Sequence, residues 1–419
     1  MTVLIAGGGI GGLTLALSLH QVGIPCRIFE AVERLAPLGV GINVLPHAVR
    51  ELTELGLQDE LLALGIPTAR LAYYSRRGQE IWSEPRGRDA GYAWPQISIH
   101  RGELQMLLTH TVLDRLGPDA IAPGHALTSW EDRGDRIAAR FADRGGAQIA
   151  EVAGDILIAA DGIHSAARAA LHPDEGPPIW NGAILWRGTA VAAPFLGGRT
   201  MIMAGHEYQK FVCYPLRDLP DGRQLINFIA ERKFSPDQPW RREDWNRAGR
   251  VEDYLPPFKA WAFDWLDVPG LIRAAETVYE YPMVDRDPLD AWSHGRLTLL
   301  GDAAHPMYPI GSNGASQAIL DARVLTRELL AQGLSPAALR AYEAERLPAT
   351  AKIVTANRGN GPEQVMQMVE ERAPDGFDRI DDVLSAEERE GTAAAYKRLA
   401  GFDKDALNAR PPIVPEAAA

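Results

Sequence analysis

Thr2-Val3-Leu4-Ile5-Ala6-Gly7-Gly8-Gly9-Ile10-Gly11-Gly12 runs from an apolar strand straight into a glycine turn, and Cys26-Arg27-Ile28-Phe29-Glu30 follows as a second strand ending in an acid. Between them a helix passes through Leu13, Leu17 and His20. The unit has about thirty residues, the length a parallel crossover requires. Gly7 allows the tight turn, Gly9 lets the backbone approach a pyrophosphate, and Gly12 lets helix and strand pack closely. The N–H groups of the helix start then face the phosphates. Glu30 ends the second strand, where its carboxylate can accept from both ribose hydroxyls of an adenosine. A lone glycine turn is weak evidence, but with strand, helix, second strand and terminal acid it reads as an adenosine diphosphate cradle. It does not choose between FAD and NAD.

Two further motifs make that choice. In Asp155-Ile-Leu-Ile-Ala-Ala-Asp161-Gly162-Ile-His164-Ser165-Ala-Ala-Arg168 a buried strand ends in Asp-Gly. Taken alone, this could be a strand end with a helix cap. In Leu297-Thr-Leu-Leu-Gly301-Asp302-Ala-Ala-His305-Pro306 the glycine gives backbone approach, and Asp302 is an acceptor suited to the hydroxyls of a ribityl chain. Pro309-Ile-Gly311-Ser312-Asn313-Gly314-Ala315-Ser316-Gln317 then starts a helix from a glycine-rich turn. A helix N-terminus stabilises the negative charge that a reduced flavin carries at its N1–C2=O edge. A conventional NAD dehydrogenase needs no such element so far from its first glycine turn. His305 beside Asp302 reads as a structural residue near the cofactor rather than a general base.

The rest of the chain sets the frame. Its 419 residues, 46% hydrophobic and 23% charged, are ordinary for a globular protein with more than one packed unit. The net charge of -12 argues against nucleic-acid and anionic-membrane partners. No apolar run approaches the roughly 20 residues needed to span a bilayer. Cys26 and Cys213 have no metal-like or redox-like spacing and suit a reducing, cytoplasmic compartment. Helices are expected from Pro46 to Leu55, from His100 to Leu116, from near Gly314 through Leu325, and from Ala338. A hairpin over 68–83 turns at Arg77-Gly78, and antiparallel strands fill 126–158. From 176 to 285 tryptophan, tyrosine and proline rise and strands such as 201–203, 211–215 and 225–230 point to a sheet-rich unit, with 235–257 as a polar excursion. Ser385-Ala-Glu-Glu388 is a capping box opening a C-terminal helix, and Arg410–Ala419 reads as a disordered tail.

Through these residues the chain resembles the single-component FAD-dependent aromatic hydroxylases, the class A flavoprotein monooxygenases, and within them the branch acting on phenazine carboxylates. The likeness covers roughly residues 1–365. It is carried by Pro37-Leu-Gly-Val-Gly-Ile-Asn43, Ser83-Glu-Pro-Arg-Gly87, His100-Arg-Gly-Glu-Leu-Gln-Met-Leu-Leu108, Tyr281-Pro-Met-Val-Asp-Arg-Asp-Pro-Leu289 and Gly301 to Asp321. The resemblance implies an α/β, Rossmann-like FAD-binding domain built from 1–70, 97–175 and 286–365. An α+β, sheet-rich substrate-binding domain would come from 71–96 and 176–285, and a C-terminal helix and tail from 366–419.

The resemblance also implies roles. Gly7, Gly9 and Gly12 would hold the pyrophosphate, Glu30 the ribose, and Arg101 the pyrophosphate or ribityl region. Gly301 and Asp302 would hold the ribityl side. Asp161 and Arg168 would serve FAD and a transient nicotinamide. Val40, Gly41 and Ile42 would lie along the flavin, while Pro309, Gly311, Asn313 and Gly314 would flank its ring. Many relatives carry Gly-Gln-Gly where this chain has Ser312-Asn313-Gly314, so the role of Gly314 transfers better than that of Asn313. NADH or NADPH would reduce FAD and leave, O2 would add at flavin C4a, and the hydroperoxide would hydroxylate a planar aromatic ring, with loss of CO2 where a carboxylate sits at the attacked carbon. The cofactor carries this chemistry, so no protein acid or base is required. Trp186, Met203, Tyr214 and Met283 are the expected pocket walls, offering flat apolar surface for a ring. A flavin-dependent halogenase is disfavoured, since Trp261 and Trp265 are four apart with no Ile-Pro following. A flavoprotein reductase without oxygen insertion, and a non-catalytic FAD- or aromatic-binding protein, are the remaining alternatives.

Overall fold

The computed structural model describes residues 2–235 and 247–415. Strand Val3–Ala6, buried throughout, lies inside a six-stranded sheet. The order is Ser293–His294, Leu297–Leu299, Ile156–Ala159, Val3–Ala6, Cys26–Glu30, Ile121–Pro123. All neighbours pair in parallel except the edge strand Ser293–His294. Strands covered on both faces read as unbroken apolar runs, which is why Val-Leu-Ile-Ala and Ile-Leu-Ile-Ala were visible in the sequence. Ala6 is level with Ala159, and Ala159 with Leu299. Three neighbouring parallel strands therefore end together, and Gly7, Asp161 and Gly301 leave the sheet at one edge. Ligands of open α/β sheets bind at such carboxyl ends.

Helix Ile10–Gln21 packs against helix Gly314–Gln332 so closely that a Cβ on Gly11 would lie 3.3 Å from that of Ala318. Strands Ala126–Asp132, Ile137–Ala142 and Gln148–Gly154 form the expected antiparallel meander. A small sheet, Gly41–Val44, Gln96–His100 and Ile66–Thr68, lies beside helices Pro46–Glu54 and Arg101–Leu116.

The seven-stranded sheet runs Val278–Asp285, Ile179–Ala192, Gln224–Lys233, Gln209–Asp218, Thr200–His206, Arg70–Tyr74, Glu80–Pro85. Its last two strands are the hairpin expected around Arg77-Gly78, joined to the rest by parallel pairing of Arg70–Tyr74 with Thr200–His206. Side chains alternate between faces. Tyr74, Trp186, Ile202, Phe211 and Phe228 pack on one side with Phe258 and Trp261. Leu71, Tyr73, Leu185, Met201, Met203, Tyr214 and Met283 pack on the other, against Tyr308, Ile310, Val365 and Met366. The second face meets the loop after Gly301. The excursion expected at 235–257 falls partly outside the described residues, and Val251–Tyr254 and Pro256–Phe258 are short helices.

Beyond residue 363 the described residues form three α-helices, Gln364–Arg372, Ala386–Leu399 and Lys404–Ala409, with a short 3-10 turn at Ile380–Asp382. The Ser385–Glu388 capping box is present. The expected disorder of the tail is corrected at 410–415: Ile413 and Val414 are buried, and Arg410 bonds Glu51 at 3.1 Å. Prolines alone cannot reveal that two apolar residues between them find a core.

Candidate active site

Gly7 and Gly12 are required by the protein itself. Gly7 has φ +111, and a Cβ there would lie 2.3 Å from the Ala160 carbonyl oxygen. A Cβ on Gly12 would lie 2.1 Å from the Gly7 oxygen. Gly9 differs, because nothing lies within 4 Å of where its Cβ would stand. The space is open on the side facing the helix start, and among the described residues no side chain caps that helix. Its first N–H groups are left for a ligand. Glu30 stands beside this turn, one carboxylate oxygen accepting from Gly8 N at 2.6 Å and the other from Val32 N at 2.9 Å.

The second motif holds Asp161 half-buried, with Oδ2 accepting from Ala166 N at 2.9 Å and Oδ1 lacking a partner among the described residues. Burial pushes its carboxyl above the ordinary range. Arg168 requires a correction. Its side chain is fully buried and every nitrogen is occupied by protein: Nε by Glu175, Nη1 by the carbonyls of Ala303 and Ala304 at 3.1 and 2.8 Å, and Nη2 by Glu175 and the carbonyl of Asp287. It therefore buttresses the Gly301–Ala304 turn from behind and has no donor left for a cofactor.

At the third motif Gly301 has φ +62 and Asp302 is exposed at the strand end. Arg101, also exposed, starts its helix beside Gly39; desolvation raises the Asp302 carboxyl, and the charges of His305 and Arg101 only partly offset it. His305 is not free to act as a base on a substrate. Its Nε2 is 2.5 Å from Asp321 Oδ2, and Asp321 also accepts from Gly301 N and from Arg346 Nε at 2.7 Å. Burial raises the Asp321 carboxyl, but His305 and Arg346 outweigh it and hold the group below its usual range. Sequence reasoning missed Asp321 and Arg346, since only the fold brings their two helices together behind the turn.

Gly311 has φ +69, and a Cβ would strike the Tyr396 hydroxyl at 2.1 Å. Ser312 has φ +59, a left-handed conformation that glycine adopts freely and serine only at a cost of about 1–2 kcal/mol. Asn313 is the second correction. It is wholly buried, and its amide donates to the Gly311 carbonyl and the Tyr396 hydroxyl and accepts from Gln317 Nε2. Its side chain braces the loop from inside and does not flank a ring. Gly314 leaves open space, as Gly9 does, and among the described residues no side chain caps its 19-residue helix. Pro309 is exposed beside it.

Gly41 is gripped by the inserted sheet. Its N–H donates to Asn227 Oδ1 at 2.8 Å, and its carbonyl accepts from Arg187 Nη2 at 2.9 Å and Tyr214 Oη at 2.7 Å. Val40 is buried and Ile42 half-buried on either side.

Between this loop and the seven-stranded sheet lies a narrow, partly open cleft. Its walls include Leu71, Tyr73, Met201 and Met203 from the sheet, Gly311 and Ser312 from the loop, and Tyr396, Lys397 and Phe402 from the C-terminal segment. Of the four expected wall residues only Met203 lines it. Tyr214 and Met283 share its face but are buried, the first on Gly41 and the second with Sδ 3.1 Å from Asn181 Nδ2. Trp186 is the third correction: it points to the opposite face, stacked on Tyr254 and donating to Glu280 at 3.1 Å.

The family described as FAD binding domain matches residues 1–179 and 279–357, leaving out most of the inserted sheet. The chain is 46% identical, over 85% of its length and 89% of the relative's, to the phenazine 1,6-dicarboxylic acid hydroxylase PhzS of Lysobacter antibioticus. It is 34% identical to the 3-amino-4-hydroxybenzoate 2-monooxygenase PtnB3 of Streptomyces platensis, over 91% and 94%. Among solved structures, Klebsiella pneumoniae HpxO complexed with FAD and uric acid superposes with a TM-score of 0.70 and 26% identity, covering 96% of this chain and 92% of that one.

Proposed function

Because the chain belongs to the FAD-dependent aromatic monooxygenases, we propose that it hydroxylates a planar aromatic acid of the phenazine carboxylate kind, using O2 and NADH or NADPH. The observation that carries the substrate class is the 46% identity to a hydroxylase of phenazine 1,6-dicarboxylic acid. Decarboxylation accompanies hydroxylation wherever the attacked carbon bears the carboxylate. The donor set fits FAD, with two uncapped helix starts, two glycines whose Cβ positions are open and an unpartnered Asp161 oxygen on one sheet edge.

In this reading Gly7, Gly9 and Gly12 carry the pyrophosphate, and Glu30 exchanges its backbone donors for ribose hydroxyls. Arg101, Asp161, Gly301 and Asp302 hold the middle of the cofactor. Val40, Gly41 and Ile42 support one side of the flavin ring, while Pro309, Gly311 and Gly314 border it. When bound, FAD supplies the redox chemistry, accepting hydride and activating oxygen. The chain supplies orientation and dryness. The N-terminus of Gly314–Gln332 stabilises negative charge placed against it, and Met201, Met203 and Tyr396 keep water from the reacting face. The inserted sheet is the substrate-binding unit and the six-stranded sheet the cofactor-binding one. Among the described residues no helix is long and apolar enough to cross a membrane. We place the enzyme in the cytoplasm, where reduced nicotinamide is at hand and the free thiols of Cys26 and Cys213 persist.

The test is NADH and NADPH oxidation by the FAD-loaded protein in air with phenazine carboxylates, salicylates and hydroxyquinolines, with products weighed by mass spectrometry. One compound should accelerate oxidation and gain oxygen. Peroxide as the sole product with every compound would place the substrate elsewhere, and FAD reduction without any oxygenated product would favour the reductase reading.

A further inference from the structure

Three side chains that line the pocket each bury a polar atom that has no hydrogen-bond partner among the described residues: Tyr73 Oη, Arg86 Nε and Gln96 Oε1. Buried polar groups are almost always paired, so three orphans on one cleft call for a partner that both accepts and donates. Tyr73 is 1% exposed and Gln96 2%. Arg86 is not simply idle, because another of its nitrogens meets Glu84 at 2.7 Å. Lys397 reaches the other oxygen of Glu84 at 2.6 Å. Arg86 and Lys397 thus share Glu84 at this end of the cleft, and Arg86 Nε is the donor left over. Burial keeps the Tyr73 phenol protonated, so it remains a donor. Leu71, Met201 and Met203 give the adjoining wall an apolar surface.

We propose that Arg86 Nε and Tyr73 Oη anchor a carboxylate of the aromatic substrate, with Gln96 Oε1 accepting from a ring hydroxyl or N–H, and so set which ring edge faces the flavin loop. The inference rests on the aromatic-acid reading above and adds the residues that read the acid. A charged acceptor satisfies both donors at once, whereas a neutral amide presents an N–H to them and loses one contact. Arg86 and Tyr73 come from the edge hairpin, so the anchor lies on a different element from the loop at which oxygen is transferred.

The test titrates FAD-loaded protein with phenazine-1-carboxylate and phenazine-1-carboxamide, following the flavin spectrum. The wild type should bind the carboxylate at least ~10-fold more tightly. Tyr73→Phe should weaken carboxylate binding ~10-fold and amide binding little, while the ligand-free protein melts no lower, because the lost hydroxyl had no partner. Arg86→Gln should abolish the preference for the acid. Equal affinity for the two probes in the wild type overturns the anchor, as does a Tyr73→Phe variant with its preference intact, or failure of the wild type to bind the carboxylate. Failure of the monooxygenase reading is seen separately, as the absence of any oxygenated product across the panel above, and it leaves the two affinities readable.

Discussion

The Tyr396 hydroxyl accepts a hydrogen bond from the Asn313 side chain at 2.9 Å and donates to Asn357 Oδ1 at 2.7 Å, so the C-terminal helix Ala386–Leu399 locks the Pro309–Gly314 loop, the one proposed to border the flavin. Tyr396→Phe keeps the ring and leaves two buried amides short of a partner. A loss of about 1–3 kcal/mol in stability is expected. The looser loop should also admit water, raising the share of NADH that ends as peroxide. Thermal melting and the ratio of product to NADH consumed check the two effects, and an unchanged ratio would confine Tyr396 to a structural role.

The glycines of the first turn should separate folding from cofactor binding. Gly12→Ala places a Cβ 2.1 Å from a backbone oxygen, and a strongly destabilised or insoluble protein is expected. Gly9 has φ -76 and open space, so Gly9→Ala should fold normally and lose FAD affinity by a factor of ten or more, on the order of 1.4 kcal/mol. Circular dichroism beside FAD content after gel filtration distinguishes the two. A Gly9→Ala protein that retains FAD would remove the pyrophosphate from this turn.

Acid should weaken the fold through His47. Its ring is fully buried against Phe402, and burial first, then the charges of Arg410 and Arg346, pull its pKa down to about 3. Between about pH 6.5 and 3 the unfolded chain binds a proton that the folded one refuses, so stability rises with pH across that window and is lost as pH falls. The slope from this residue alone approaches ~1.4 kcal/mol per pH unit. His47→Gln should flatten that part of a plot of melting temperature against pH.

The two faces of the seven-stranded sheet give a further contrast. Trp186→Phe, on the far face, should lower stability by about 1–3 kcal/mol and leave KM unchanged. Met203→Trp, in the pocket wall, should raise KM several-fold or abolish turnover with FAD content intact. The reverse pattern would move the substrate to the other side of the sheet.

What was legible follows from the range of the forces involved. The turns at Gly7 and Gly301 and the acid at Glu30 are local matters of φ, close approach and strand end, and the sequence states them within a few residues. Trp186 was misassigned because its flat apolar ring suits either face of the inserted sheet, and only the fold shows that Leu185 takes the cleft side and Trp186 the other. Asn313 was misassigned because its partner lies 83 residues away on a helix that the family motif does not include. The same distance hid Tyr396, Lys397 and Phe402. No local pattern announces that a helix will return to a pocket. Arg168 stands between these cases. Its motif was visible, yet which of four carbonyl and carboxylate partners would claim its guanidinium depended on the Ala303–Ala304 turn, more than 130 residues on.

The pocket is finished by residues 396–402, close to the end of the described chain. Ile413, near the same end, packs into the core that also holds Val3–Ala6, and Arg410 bonds Glu51, so this segment is shared between the cleft and the six-stranded sheet's core. A single cut between Arg372 and Ala386 would therefore loosen the cleft wall and part of the six-stranded sheet's core together, so the two should be lost in one scission rather than separately.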